Sequence, residues 1–391
     1  MSLQYPYSRQ EILDADITAV ENVLRSTFLT QGSQGPAFEA ALAKATGAGE
    51  VAVCANGTAA LHLAYATLGL GPKRGLITSP ITFLATANAA RLLGAPVLFA
   101  DVDPATGNLD PEALRRSIEE SSVPLTAVAP VHMQGRPCAM PEIADIARAA
   151  GLMVVEDAAH ALGSSYRDSD GKVVPIGACA HSEHTTLSFH AIKHVAAGEG
   201  GAVTGNDKSR MARIRLLRNH GMTREGLRQD GQNVGPWSYE MHEVGWNYRL
   251  SDIQCALGLS QLARLESSIV RRRAIAERYT ERLAGINCLK TPPLPSDPTG
   301  HAFHLYSLSI DFKAVGKSRG EVMQQLADRG IGTQVHYTPL YRQPYYSALG
   351  AKPLPGAEQY YARTLSIPMY AQLTIADVDK IATAIREVLA S

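Results

Sequence analysis

The sequence carries no excess of either charge: Lys+Arg and Asp+Glu are both 37, for a formal net charge of +0. That disfavours a protein held to nucleic acid or to a membrane surface by net positive charge. It leaves room for an anionic ligand held by a few local groups. No apolar run is long enough to span a bilayer, and Met1 to Gln10 has no apolar signal core. Cysteines number 5 (Cys54, Cys138, Cys179, Cys255 and Cys288), an odd count with no CxxC pair. Neither a disulfide framework nor a zinc knuckle is expected, and a reducing cytoplasm is the expected compartment. The glycine pattern of a dinucleotide site is also missing. Gly69-Leu70-Gly71-Pro72 follows a helical stretch rather than a strand, and its spacing to Gly75 misses GxGxxG. His181, Glu183, His184, His190 and His194 cluster in sequence, but their spacing fits no defined ligand set, so no metal is expected.

What is present is a core. Hydrophobic residues make up 45% of 391, enough for one large domain and a smaller one. Short apolar runs alternate with helical patterns through the first two thirds. Val51 to Cys54, Gly75 to Thr78, Pro96 to Ala100, Thr126 to Val131 and Leu152 to Glu156 read as strands. Thr58 to Leu68, Ala85 to Leu93, Pro111 to Ser117 and Pro141 to Ala150 read as helices. This βαβ rhythm predicts an α/β fold with a large, mostly parallel, doubly wound sheet over residues 1–250. After about residue 250 the texture changes. Long amphipathic helices are expected over Ile253 to Glu266 and Ile269 to Leu283, then a loop through Thr291 to Pro295 and Asp297-Pro298. A strand at His304 to Ile310, a helix at Arg319 to Arg329, a short strand near Gln334 and a helix at Ile375 to Leu389 complete a smaller C-terminal α+β domain, 251–391.

Ligands of such sheets bind beyond the carboxyl ends of the strands. Two chemical signals fall at such ends. Val154-Val155-Glu156-Asp157 is an apolar strand running into an acid, and Ala55-Asn56-Gly57-Thr58 opens a helix after another strand. Further on, Lys193 follows Ser188 by five residues, just ahead of Gly198-Glu199-Gly200-Gly201. An amine, a strand-end carboxylate and a hydroxyl are what pyridoxal phosphate needs: a covalent partner for its aldehyde, an anion for its ring nitrogen and donors for its phosphate. A free lysine, with a reference pKa of roughly 10.4, is protonated and a poor nucleophile. Linkage to an aldehyde stores the amine until substrate displaces it, after which the lysine can shuttle protons. A carboxylate on the ring nitrogen keeps it protonated, through a charge-assisted bond worth roughly 1.5–3 kcal/mol. Taken singly, each residue has a plainer reading. Lys193 would be one surface lysine among many, Asp157 a helix N-cap, His160 a packing histidine and Phe83 a core aromatic. In the functional reading His160 touches the ring or its 3-oxygen, Phe83 stacks on the ring face, and Gly57, Thr58 and Ser188 hold the phosphate.

Together these segments resemble the DegT-type sugar aminotransferases, pyridoxal phosphate enzymes of the aspartate-aminotransferase fold (fold type I). The resemblance covers nearly the whole chain. It runs through Phe28 to Gly32, Asn56 to Leu61, Glu156 to Ala161, Ser188 to Lys193, Gly198 to Gly201, Asn219-His220-Gly221, Gly245 to Asp252 and Val335 to Pro339. By that resemblance Lys193 and Asp157 are catalytic, and Gly57, Thr58, Phe83, His160 and Ser188 bind the cofactor. Asn247 is similar to an asparagine that reaches the phosphate across a subunit interface, which implies a homodimer with shared sites. His336 and Tyr337 would lie near the sugar. The segments Phe28 to Gly32, Asn219 to Arg224 and Gln334 to Tyr346 are similar to the pseudaminic-acid branch of the family. Its members aminate C4 of a UDP-linked 4-keto-6-deoxy-N-acetylhexosamine with L-glutamate as donor. Proline often stands in the family where this chain has Ala191, a difference that would only alter loop stiffness. Relatives that act as 3-dehydratases carry histidine in place of Lys193, so the lysine disfavours that chemistry. The intact Lys193 and Asp157 likewise disfavour a non-catalytic regulator.

Overall fold

The structure, a computed structural model, describes residues 3–224, 227, 235–294 and 300–390. Seven strands form the main sheet: β1 (Glu50–Cys54), β2 (Gly75–Thr78), β3 (Val97–Phe99), β4 (Leu125–Ala129), β5 (Met153–Asp157), β6 (His184–Ser188) and β7 (Gly201–Gly205). Their spatial order is β1-β7-β6-β5-β4-β2-β3. Only β7 runs against its neighbours; every other strand points the same way.

A parallel sheet must be covered on both faces, and alternation along each strand divides the core in two. Leu76, Ala127 and Val155 face one side. There they meet α3 (Gly57–Thr67), α4 (Leu84–Leu92) and α7 (Lys208–Leu217). Their chain neighbours Ile77, Val128 and Val154 face the other side, against α5 (Pro111–Glu119) and α6 (Met140–Ala149). Beside them, Val51, Val53, Leu187 and Ala202 pack on α2 (Gln34–Thr46) and α8 (Asp252–Leu262).

A second core surrounds a three-stranded antiparallel sheet, β8 (Leu289–Lys290), β9 (Tyr306–Ile310) and β10 (Thr364–Ile367). It is closed by α10 (Arg319–Asp328), α11 (Ile375–Ala390) and the distal half of α9 (Leu265–Leu283). Helix α9 joins the two cores: Leu265 and Ile269 pack in the first, Ile275, Tyr279 and Leu283 in the second.

Two segments cross a division at 250/251. Helix α8 packs on the first core; Gly258 lies so close to the Phe38 ring of α2 that a Cβ there would approach it to 2.7 Å. At the other end of the chain, Tyr5 pairs with Ile331 and is buried in the second core. The carboxylate of Asp252 accepts from the N–H groups of Gly32 and Gln34 at 3.0 and 3.2 Å. Sequence segments more than two hundred residues apart are thereby tied together.

The helix expected over Ile253 to Glu266 breaks at Ala263–Arg264. The physical reason is an ion pair. Asp16 of α1 (Asp14–Leu24) is fully buried and takes Arg264 Nη2 at 2.6 Å, with Ser260 and Gln261 as further donors. The strand expected near Gln334 is a single bridge to Ser366. Strands β6, β7 and β10 were not legible in the sequence, because His184-Thr185-Thr186-Leu187-Ser188 is polar and Gly201-Ala202-Val203-Thr204-Gly205 is bounded by glycine. Pro295 and Asp297-Pro298 of the expected loop lie outside the described residues.

Gly201 starts β7 directly against the turn that opens α3; a Cβ there would stand 2.4 Å from the Asn56 carbonyl oxygen. Gly201→Ala is therefore expected to cost about 1–3 kcal/mol, read as a lowered thermal midpoint. An unchanged midpoint would mean that the two backbones have room to separate.

Candidate active site

All the parallel strands deliver their carboxyl ends to one edge of the sheet, and the chemistry collects there. Strand β5 ends in Asp157 and β6 in Ser188, while β1 leads through Asn56 into α3. The Asn56 side chain accepts from Ala59 N–H at 2.8 Å and caps the helix. The earlier N–H groups of that first turn have no intrahelical acceptor and point, with the positive end of the helix dipole, at the cavity. Gly57 is required by packing: a Cβ would come within 3.0 Å of Ser188 Cβ. Its absence lets the helix start and the strand end share one anion-sized corner.

The cavity encloses about 740 Å³ and is lined by Gly57, Thr58, Phe83, Asp157, His160, Ser188, Lys193, His336 and Tyr337. Asp157 is 5% exposed. One carboxylate oxygen accepts the Thr86 hydroxyl at 2.6 Å and the other the Ala159 N–H at 3.1 Å. Lys193 stands in the turn after β6, its N–H bonded to the His190 carbonyl at 2.8 Å. Burial pushes its amine down to about 8, and the Asp157 charge pulls the other way. At neutral pH such a lysine keeps a useful neutral fraction.

His160 Nε2 meets the Tyr337 hydroxyl at 3.3 Å, while its Nδ1 is buried without a hydrogen-bond partner among the described residues. Burial, reinforced by the Lys193 charge, holds His160 well below the usual histidine range. His336 is likewise neutral, pushed down to about 3 by burial and then by Lys193, and its Nδ1 contacts Ser366 Oγ at 2.8 Å. Phe83 at the start of α4 is 58% exposed, with its ring centroid 6.2 Å from that of Tyr337. A large aromatic left open on a polar cavity is a face available for stacking.

Asn247 is the one expected site residue that the cavity does not include. Trp246 and Tyr248 pack inward on His62 of α3, with centroids 4.4 and 5.9 Å from the imidazole. Alternation in this extended stretch leaves Asn247 on the outer surface, where it pairs with Asn219. Lining residues given no role from the sequence include Tyr7, Thr82, Thr86 and Thr186, whereas Gln334 and Gln343 fall in the Gln334 to Tyr346 segment that carries the resemblance. Thr82 and Thr86 flank Phe83 just past β2, so position after a strand end was the available signal. Nothing local marks Tyr7 or Thr186. The histidines of the 181–194 stretch separate: His181 meets Asp168, His184 meets the Thr204 carbonyl, and His194 meets the Ala302 carbonyl.

Residues 10–386 match the DegT/DnrJ/EryC1/StrS aminotransferase family. The chain belongs to that family. It is 39% identical over 388 residues to the spore coat polysaccharide biosynthesis protein SpsC of Bacillus subtilis (98% of this chain, 97% of the relative). It is 36% identical over 372 residues to the UDP-4-amino-4,6-dideoxy-N-acetyl-beta-L-altrosamine transaminase of Campylobacter jejuni (95% and 94%). Among solved structures it is similar to Helicobacter pylori PseC, an aminotransferase involved in pseudoaminic acid biosynthesis, with TM-score 0.89, 30% identity and 99% of each chain covered. Spr1654 of Streptococcus pneumoniae has been solved in a PLP-form; it matches at TM-score 0.87 and 25% identity over 100% of this chain and 99% of that one.

An enzyme of this family is a pyridoxal phosphate-dependent aminotransferase. The cavity fits that cofactor on its own evidence. It offers a capped helix N-terminus with Ser188 beside it, an exposed aromatic face, a buried carboxylate and a neutral histidine with an unpaired ring nitrogen. No described helix is long and apolar enough to cross a membrane.

The Lys193 amine should react with an amine-selective reagent in cofactor-free protein with a midpoint near 8. Asp157→Asn removes the attraction that raises it, so the midpoint falls further. Peptide mapping across a pH series measures both, and a midpoint near the free-lysine value of about 10.4 would contradict the burial account.

Proposed function

We propose that this aminotransferase moves an amino group from L-glutamate to C4 of a UDP-linked 4-keto-6-deoxy-N-acetylhexosamine, by a ping-pong sequence that builds an amino sugar for a surface glycan. The observation that carries the reading is the meeting of Lys193 and Asp157 in a cavity of about 740 Å³ that His336 and Tyr337 also line. The name of the Campylobacter transaminase supports the sugar and the position of amination, and that of PseC supports an aminotransferase of pseudoaminic acid biosynthesis.

When bound, pyridoxal phosphate supplies an aldehyde that carries the amino group and a ring that accepts the electron pair left by a departing proton. The remaining work falls to this chain. Gly57, Thr58 and Ser188 would hold the phosphate, with the α3 dipole behind them. Phe83 would offer its open face to the ring for stacking, and His160 would contact the ring or its 3-oxygen. The Asp157 carboxylate, bonded to Thr86 and Ala159, would be the anionic partner of the ring nitrogen. Lys193 Nζ would form the covalent link to the aldehyde and, when free, would take the proton from the glutamate α-carbon. In the second half of the cycle it returns a proton to the sugar carbon that gains nitrogen. Its depressed pKa suits both directions near neutral pH. Asn247, outside this chain's own cavity, would reach the phosphate of a second copy in a homodimer with shared sites, and the enzyme would work in the cytoplasm.

A panel of UDP- and dTDP-linked 3-keto and 4-keto sugars, each incubated with enzyme, cofactor and L-glutamate, tests the substrate. Mass spectrometry should show an amino product from the UDP-linked 4-keto-6-deoxy-N-acetylhexosamine. Product from a 3-keto sugar alone would overturn the C4 assignment. Lys193→Ala should lose turnover by at least about a thousandfold and lose the visible absorbance of the cofactor-loaded protein. A variant that still cycles would refute the role of Lys193.

A further inference from the structure

We propose that Thr86, backed by Thr82, is a positioning residue that orients the Asp157 carboxylate, and through it helps the cofactor's ring nitrogen keep its proton. This deepens the reading above and rests on Asp157 as the partner of that nitrogen. The Thr86 hydroxyl lies 2.6 Å from one Asp157 oxygen, and an ionised carboxylate can only accept, so Thr86 donates. Its one proton is then engaged. The 2.7 Å contact between the two threonine hydroxyls must therefore run from Thr82 to Thr86. The result is a two-hydroxyl relay ending on the carboxylate, in which each bond strengthens the next.

The relay is buried: Thr86 is 0% and Thr82 2% exposed, and both stand in the cavity wall. It comes from the segment after β2, an element separate from the strand that carries Asp157. The other carboxylate oxygen takes the Ala159 N–H, so both oxygens are pinned and the group cannot rotate freely. Tyr65 from α3 donates to the Thr86 carbonyl at 3.1 Å and braces the same residue from behind. The ionisable groups that sense the Asp157 charge are Lys193, Tyr65 and Tyr337; of these only the lysine is cationic. Without the Thr86 hydroxyl the carboxylate would lose a charge-assisted donor and one of its two anchors, and a bound ring nitrogen would hold its proton less firmly.

The test uses holoenzyme loaded with cofactor labelled with ¹⁵N in its ring. Wild type and Thr86→Ser, which keeps the donor, should show the shift of a protonated nitrogen. Thr86→Val, which keeps the shape and loses the donor, should move toward the unprotonated shift and bind cofactor about tenfold more weakly. Thr82→Val should move the same way by less, and it carries the test if thermal unfolding shows Thr86→Val to be unfolded. A wild-type shift and affinity in the valine variants would overturn the proposal. So would a Thr86→Ser signal displaced as far as that of Thr86→Val. Asp157→Asn separates the two readings. It should show an unprotonated nitrogen; if it keeps the wild-type shift, the Asp157 assignment itself falls, and the threonine relay with it.

Discussion

Two opposing forces meet on the Lys193 amine. Burial removes water from the charged form and drives the proton off; the Asp157 carboxylate pulls it back. Were burial acting alone, the amine would be neutral but unaimed. A carboxylate acting alone would leave it an ordinary protonated lysine, inert as a nucleophile. The balance near 8 gives one nitrogen that can both form a bond and carry a proton at physiological pH. That balance requires the two groups to be held apart by rigid structure, and most of the fold serves this purpose.

Neighbouring parallel strands provide the rigidity. β5 and β6 pair along Val155 to Asp157 against His184 to Thr186, which fixes the register at which the acid leaves the sheet beside the turn bearing the amine. The glycine contacts work at the same edge. Gly57 and Gly201 let the α3 turn, the end of β6 and the start of β7 approach within backbone distance. The second core contributes His336 and Tyr337, and the N-terminal segment contributes Tyr7. The cavity is thus assembled from parts whose separation in sequence exceeds three hundred residues. The hydrogen bond between Tyr337 and His160 spans 177 positions and closes the wall.

This explains what could be read beforehand. The alternation of β1 to β5 with α3 to α6 was legible because each strand is a short apolar run and each helix has its own cap or periodicity. Asp157 and the Asn56 turn were legible because a polar residue ending an apolar strand is a local pattern. β6 and β7 were not, since their burial comes from neighbours rather than from composition. The break between α8 and α9 was hidden for the same reason: the buried Asp16 that draws Arg264 out of helix lies almost 250 residues earlier. Thr86 stands in an ordinary helical first turn, and only the fold brings its hydroxyl to Asp157. Asn247 was legible as a motif residue; its outward placement follows from the inward packing of Trp246 and Tyr248 on His62.

The account depends on one covalent partner for the cofactor. Borohydride reduction of pyridoxal phosphate-saturated protein, followed by digestion and mass mapping, tests it directly. A single reduced adduct on the peptide containing Lys193 is the expected result. No adduct, or an adduct on a different lysine while that peptide stays unmodified, would contradict it.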